Sequence, residues 1–180
     1  MDRYDQAVGA NSHARHARAT GVHTKDVQIM RILRRFLVVL ALMFWQGGSM
    51  FYGAVVVGIV RAQLGQPERS LITQRVTQWL NFAGTIALLL LFTDVWASIL
   101  PVKRWRWLTW SGMALPHVAM VWLHHELSRQ MAVPGFVRSD QRAFLSWHAL
   151  YLSCNVVQWL AAMAFAVLSL RAWRLEDVQG

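Results

Sequence analysis

The sequence is short of charge where charge would keep a helix in water. Only 15% of its 180 residues are Asp, Glu, Lys or Arg, against about a quarter in an ordinary soluble domain. The shortage is concentrated: no charged residue occurs in 36–60, 76–93, 107–123 or 143–170. A helix of about 20 apolar residues crosses the hydrocarbon core of a bilayer, so these runs read as spans and argue against a soluble fold. Cysteine is almost missing too. Cys154 stands alone, which excludes an intrachain disulfide and a CxxC redox motif, and its place within the last run suits a small packing residue. Acids are scarce, nine against eighteen Lys and Arg. No paired-carboxylate site, phosphate-cradling loop or nucleophile–base arrangement can be found, so the expectation is a protein that is not an enzyme.

What remains after these absences is an all-α protein, expected to be a four-helix transmembrane bundle. Residues 1–29 read as a mobile polar tail, 30–172 as the membrane domain and 173–180 as a short C-terminal tail. Within the domain the spans fall at about 36–60, 77–100, 105–125 and 143–170. His13, His16 and His23 lie close together in the tail, where solvated side chains are expected rather than a metal site. From Met30, "MRILRRFLVVLALMF" has the basic start and apolar run of a signal sequence or of an alternative translation start. The run continues past a usual signal core without a small-x-small site, so it is read as a retained span. In "GQPERSLITQRV" Pro67 suits a first helical turn and Glu68 faces the positive helix end. That places the start of the second helix on the membrane surface.

The net charge of +9 reads as topology and not as a nucleic-acid surface. Seven basic residues precede the first span, and the short turn at 101–106 and the C-terminal tail add five. The other two loops, 61–75 and 124–142, carry six together. Basic residues accumulate on the cytoplasmic side, so a multi-pass protein of the cell membrane with both termini in the cytoplasm is expected. In "PVKRWRWLTW", Lys103, Arg104 and Arg106 alternate with Trp105, Trp107 and Trp110, as in an anchor at the membrane–water interface.

The first span, "FWQGGSMFYGAVVVGIV", is rich in small residues. On a helical wheel Gly47, Ala54 and Gly58 fall within about 40° of one another, and Ser49 and Gly53 mark a second small face. Helices in lipid gain from close backbone approach more than from hydrophobicity. This pattern predicts helix packing at Gly47, Ser49, Gly53, Ala54 and Gly58, with the first helix central and held on two sides. Pro116 is expected to kink the third helix by removing the bond to the Gly112 carbonyl.

This stretch, with "TQWLNFAGTIALLLL" and "FLSWHALYLSCNVVQWL", resembles the transmembrane-protein-205-like family of four-helix membrane proteins over roughly residues 40–170. The matching positions are Trp45, Gly47, Phe51, Val55 and Val56 in the first helix and Trp147, His148, Leu150 and Asn155 in the last. The chain departs from the family at Gly58, where proline often follows the valine run. The resemblance implies the architecture and, because the family has no defined biochemical activity, no mechanism.

Polar side chains within spans face a bundle interior or a water-filled cavity. His148, Tyr151, Asn155 and Gln158 follow one another at steps of three and four and form one stripe. His117 and His124 share a face of the third helix, and Asn81 and Thr85 belong to the second. By depth, Asn81, His117, His124, His148 and Asn155 fall in the half of the membrane away from the termini, and Asn81, His117 and the stripe residues Tyr151, Asn155 and Gln158 are the candidates for a polar pocket opening there. Three readings of it compete. Interhelical hydrogen bonds would hold the bundle together. Binding or passage of a small solute or proton would make it a functional pocket. His117, His124 and His148 could instead ligate copper, zinc or haem iron, copper being suggested by a distant similarity to copper-resistance membrane proteins. Asp94 is the one acid well inside a span, either a proton-handling carboxylate or the partner of Lys103, Arg104 or Arg106 across the short turn. Expected partners are the lipid bilayer and a second copy or another membrane protein.

Overall fold

The computed structural model describes residues 28–98, 102–131 and 141–179. The tail with its three histidines, Pro101 and residues 132–140 lie outside the described residues. Among those described, every long element is a helix and there is no strand. Helix α1 runs over Gln28–Gln63, α2 over Gln66–Trp96, α3 over Lys103–Met131 and α4 over Gln141–Gln179. The chain divides into one unit up to Leu37 and another from Val38 onward. The described part of the first is helical and exposes Ile29, Met30, Ile32, Leu33 and Phe36. The second unit carries the rest.

Three helices are long and apolar enough to cross a membrane: α1, α2 over Glu68–Trp96 and α4 over Arg142–Val178. Their surfaces suit hydrocarbon. Phe44 and Trp79 are 76% and 68% exposed, in company with dozens of outward Leu, Val, Ile and Met side chains. A soluble monomer rarely exposes more than a few hundred Å² of contiguous apolar surface. Helix α3 is as long as a span, about 43 Å at 1.5 Å per residue. It falls outside the three because His117, His124, His125, Pro116 and its basic first turn dilute its apolar residues.

The element ends differ from expectation in two places. Helix α2 ends at Trp96, four residues before the expected limit. Its last N–H groups are satisfied in a tightening turn, Ala97 N–H donating to the Thr93 carbonyl and Ser98 N–H to that of Val95, at 3.1 and 3.2 Å. Gly65 caps its start, with Pro67 in the first turn and Glu68 beside it. Helix α4 continues to Gln179, so the expected C-terminal tail from 173 is helix, pinned by buried Ala172 and Trp173.

Contacts set the register of neighbouring helices. Gly48 of α1 meets Leu80, Trp110 Nε1 of α3 donates to the Leu88 carbonyl of α2 at 3.1 Å, and Gln158 of α4 donates to the Met113 carbonyl at 3.2 Å. Residue numbers rise on one side as they fall on the other, so α2 and α3, and α3 and α4, are antiparallel. The core lies among Val38, Trp45, Leu88, Leu91, Val95, Met113 and Phe165. Helix α3 runs through Pro116 unbroken. The Gln158 amide serves the carbonyl next to the one that proline deprives of its donor, as neighbouring helices do where backbone must be satisfied in lipid.

The small residues of α1 correct the packing expected of them. Val38, Ala41, Leu42, Trp45, Gly48, Ser49, Tyr52, Val56 and Val60 form its buried and half-buried stripe. Gly47, Gly53, Ala54 and Gly58 lie on the exposed side. A Cβ added at Gly47, Gly53 or Gly58 would meet nothing within 4 Å. Of the five, only Ser49 borders the packed stripe. A bulky indole, and not a row of glycines, faces the bundle. Tyr52–Val56 forms a π-helical turn in which Val57 N–H reaches back to the Tyr52 carbonyl, a widened turn that nothing in the sequence announces.

Candidate functional site

The densest polar cluster joins α1, α2 and α3. Asn81, Gly84 and Thr85 occupy one turn of α2, His117 approaches from α3 and Trp45 from α1. The Thr85 hydroxyl donates to the Asn81 backbone carbonyl at 3.0 Å and lies 3.0 Å from His117 Nε2. A hydroxyl has one proton. With that proton on the carbonyl, Thr85 accepts from His117, which places the ring proton on Nε2 and leaves Nδ1 as a lone pair. Trp45 meets the imidazole edge to face, with centroids 5.6 Å apart at 89°.

Gly84 makes this approach possible. A Cβ there would stand 2.4 Å from Trp45 Nε1 and 2.6 Å from His117 Cε1. His117 and Asn81 are only 4% and 8% exposed, yet His117 Nδ1 and Asn81 Nδ2 are buried without a hydrogen-bond partner among the described residues. Leaving a buried polar atom unmet costs about 1–3 kcal/mol. Thr85, in contrast, is exposed on the flank between α2 and α3. The cluster therefore reaches the surface through the side of the bundle, and not through an end as the depth argument predicted.

A second polar group lies nearer the α2–α3 turn. Arg106 pairs with Asp94, and both side chains are fully buried. The guanidinium also donates to Ser169 Oγ of α4 at 3.1 Å and lies over the Phe165 ring at 5.2 Å. Of the three basic residues offered by the sequence, Arg106 alone turns inward at this point, while Lys103 rests 6.0 Å from the Trp96 ring. Around this corner Phe92, Trp96, Trp107 and Trp110 pack ring on ring at 5.4–6.4 Å. The two polar levels are separated by eleven residues of α3, about 16 Å. Leu88, Leu91, Met113 and Phe165 fill the interval, all buried.

The remaining candidates disperse. Gln158 is buried but committed to the Met113 carbonyl. Tyr151 is half-buried beside Tyr52 of α1. Asn155 is half-buried, and the pairing of Gln158 with Met113 puts it near the level of His117. His148 is exposed and stacks on Phe144 with centroids 6.3 Å apart. His124 is half-buried two turns from His117. Among the described residues no group of three His, Cys, Asp or Glu side chains could hold a metal ion. The expected set His117, His124 and His148 is not assembled, because His148 turns away from the bundle. Sequence reasoning missed Gly84 and Ser169. Gly84 lies on the stripe Asn81, Gly84, Leu88, Leu91, Val95, and the inward position of Asn81 was the signal for it.

No protein-family model, curated protein or solved structure matches the chain.

Proposed function

We propose that all four helices cross the bilayer with both termini on the cytoplasmic side, and that the Asn81–Thr85–His117 cluster is a non-catalytic site, entered from the side of the bundle at Thr85, for a small neutral polar solute. The four-span reading agrees with the resemblance of the sequence to the transmembrane-protein-205-like family, which contributes no activity to it. The observation that carries it is the pair of unmet buried nitrogens. His117 Nδ1 can accept one hydrogen bond and Asn81 Nδ2 can donate two, so a neutral molecule with a hydroxyl or amide group would complement both and offset the cost of burying them. Binding is favoured over passage by the layer of Leu88, Leu91, Met113 and Phe165 between the two polar levels, where the buried Gln158 amide is already committed to the Met113 carbonyl and Trp110 Nε1 to that of Leu88.

The test separates a site from a structural bond. In the purified protein, acetamide or glycerol should raise the unfolding temperature, and Asn81→Leu and His117→Leu should each abolish that rise. Asn81→Leu should itself be neutral or stabilising, because it removes an unpaired buried amide. If Asn81→Leu destabilises by more than about 1 kcal/mol and neither solute shifts the wild type, the cluster is interhelical bonding and the proposal fails.

A further inference from the structure

Four cations at one end of the unit are not neutralised by an internal acid among the described residues, although Lys103 Nζ donates to the Trp96 carbonyl at 3.4 Å. Arg106 is neutralised by Asp94, but Lys103 and Arg104 beside it are not. On α4, Arg171 and Arg174 are exposed just beyond Ser169, the residue that Arg106 touches. Along the helix axes Arg104 lies about 3 Å from the level of Arg106, and Arg171 and Arg174 about 3 and 7.5 Å from that of Ser169. Arg104, Arg171 and Arg174 have no ion-pair partner among the described residues. Glu176 and Asp177 are farther out, about 10–12 Å beyond Ser169, and each is engaged elsewhere. The same level carries Trp96 and Trp105, 66% and 61% exposed, and tryptophan concentrates at the headgroup level of membranes.

We infer that Lys103, Arg104, Arg171 and Arg174 form a binding surface for anionic phospholipid headgroups. Charge selects the partner: cations without an ion pair at the level of Trp96 and Trp105 meet phosphate groups, Lys103 and Arg104 from α3 and Arg171 with Arg174, three apart on one face of α4, from the other side. A zwitterionic lipid brings its own ammonium and gains less. The inference stands on the unit from Val38 onward and does not depend on the solute site.

The experiment uses the full chain in detergent, supplied with phosphatidylglycerol, phosphatidylcholine or inorganic phosphate. Retained lipid is counted by native mass spectrometry and unfolding is followed by temperature. Phosphatidylglycerol should be retained and should stabilise, phosphatidylcholine should do neither as strongly, and phosphate alone should have no effect. Changing all four residues to Gln should weaken retention about tenfold or more. Changing Arg69, Arg75 and Arg129 to Gln, a control of similar charge loss elsewhere, should leave it intact. Equal retention of the two lipids, or equal loss in both variants, overturns the inference; so does stabilisation by phosphate alone, which would mark a free-anion site.

Discussion

Asp94→Ala lowers the unfolding temperature of the detergent-purified protein by on the order of 10 °C. The reason is what it leaves behind. Arg106 is fully buried and its guanidinium is held by Asp94, by Ser169 and by the face of Phe165. Without the carboxylate, the cation keeps the Ser169 hydroxyl, the backbone carbonyl of residue 94 at 3.4 Å and a ring, and nothing of opposite charge. Removing one member of a buried pair costs about 3–5 kcal/mol, mostly as the penalty of the stranded charge. Arg106→Ala should cost a similar amount by stranding the carboxylate. The double variant Asp94→Leu with Arg106→Met should recover much of the loss, since apolar replacement of a whole buried pair is often neutral or better. With the single variants Asp94→Leu and Arg106→Met, that double variant and the wild type form a double-mutant cycle, followed by thermal unfolding. Additive losses would mean that the two side chains do not act as a pair.

Gly84→Ala should be the most damaging addition of a single methyl group anywhere in the chain. The new Cβ would overlap Trp45 and His117 at 2.4–2.8 Å, and neither ring has room: Trp45 is in the core and His117 is tied to Thr85. Overpacking of this kind costs about 1–3 kcal/mol, or more where the backbone must shift. The same change at Gly47, Gly53 or Gly58 meets open space and should be neutral or mildly stabilising, because alanine favours helix. Unfolding temperatures of the four alanine variants decide the matter. Gly84→Ala as benign as the others would contradict the packing of α1 on α2, and a large loss at Gly47 or Gly58 would mean that a partner covers the outer face of α1.

These contrasts show how the sequence could be read and where it misled. Helices were legible because charge-free runs of this length have few other solutions. Their ends were not: Trp96 stops α2 early and α4 continues to Gln179, since local turns and buried Trp173 decide those positions. The small residues of α1 were assigned to packing because a helical wheel shows which residues share a face and not which face turns inward. In water the apolar face points inward, but in lipid both faces are apolar. There the reliable marks are polar residues, and Asn81, Asp94, Arg106, His117, Gln158 and Ser169 are all buried. Had the stripe through Asn81 been extended, Gly84 would have stood out before any residue of α1. His148 broke this rule at the end of α4, where an exposed imidazole can meet headgroups or water.

The account depends most on α3. Its polar residues explain both its low hydropathy and the interior chemistry, provided that it crosses the membrane alongside the three helices that are apolar enough to do so. Single cysteines at Arg104 and Arg129, introduced after Cys154→Ser, can be tested in intact cells or right-side-out vesicles with a membrane-impermeant maleimide. The account predicts labelling at 129 from the outside and at 104 only after the membrane is opened. Labelling of both positions from the same side would place α3 along the surface and contradict the four-span bundle.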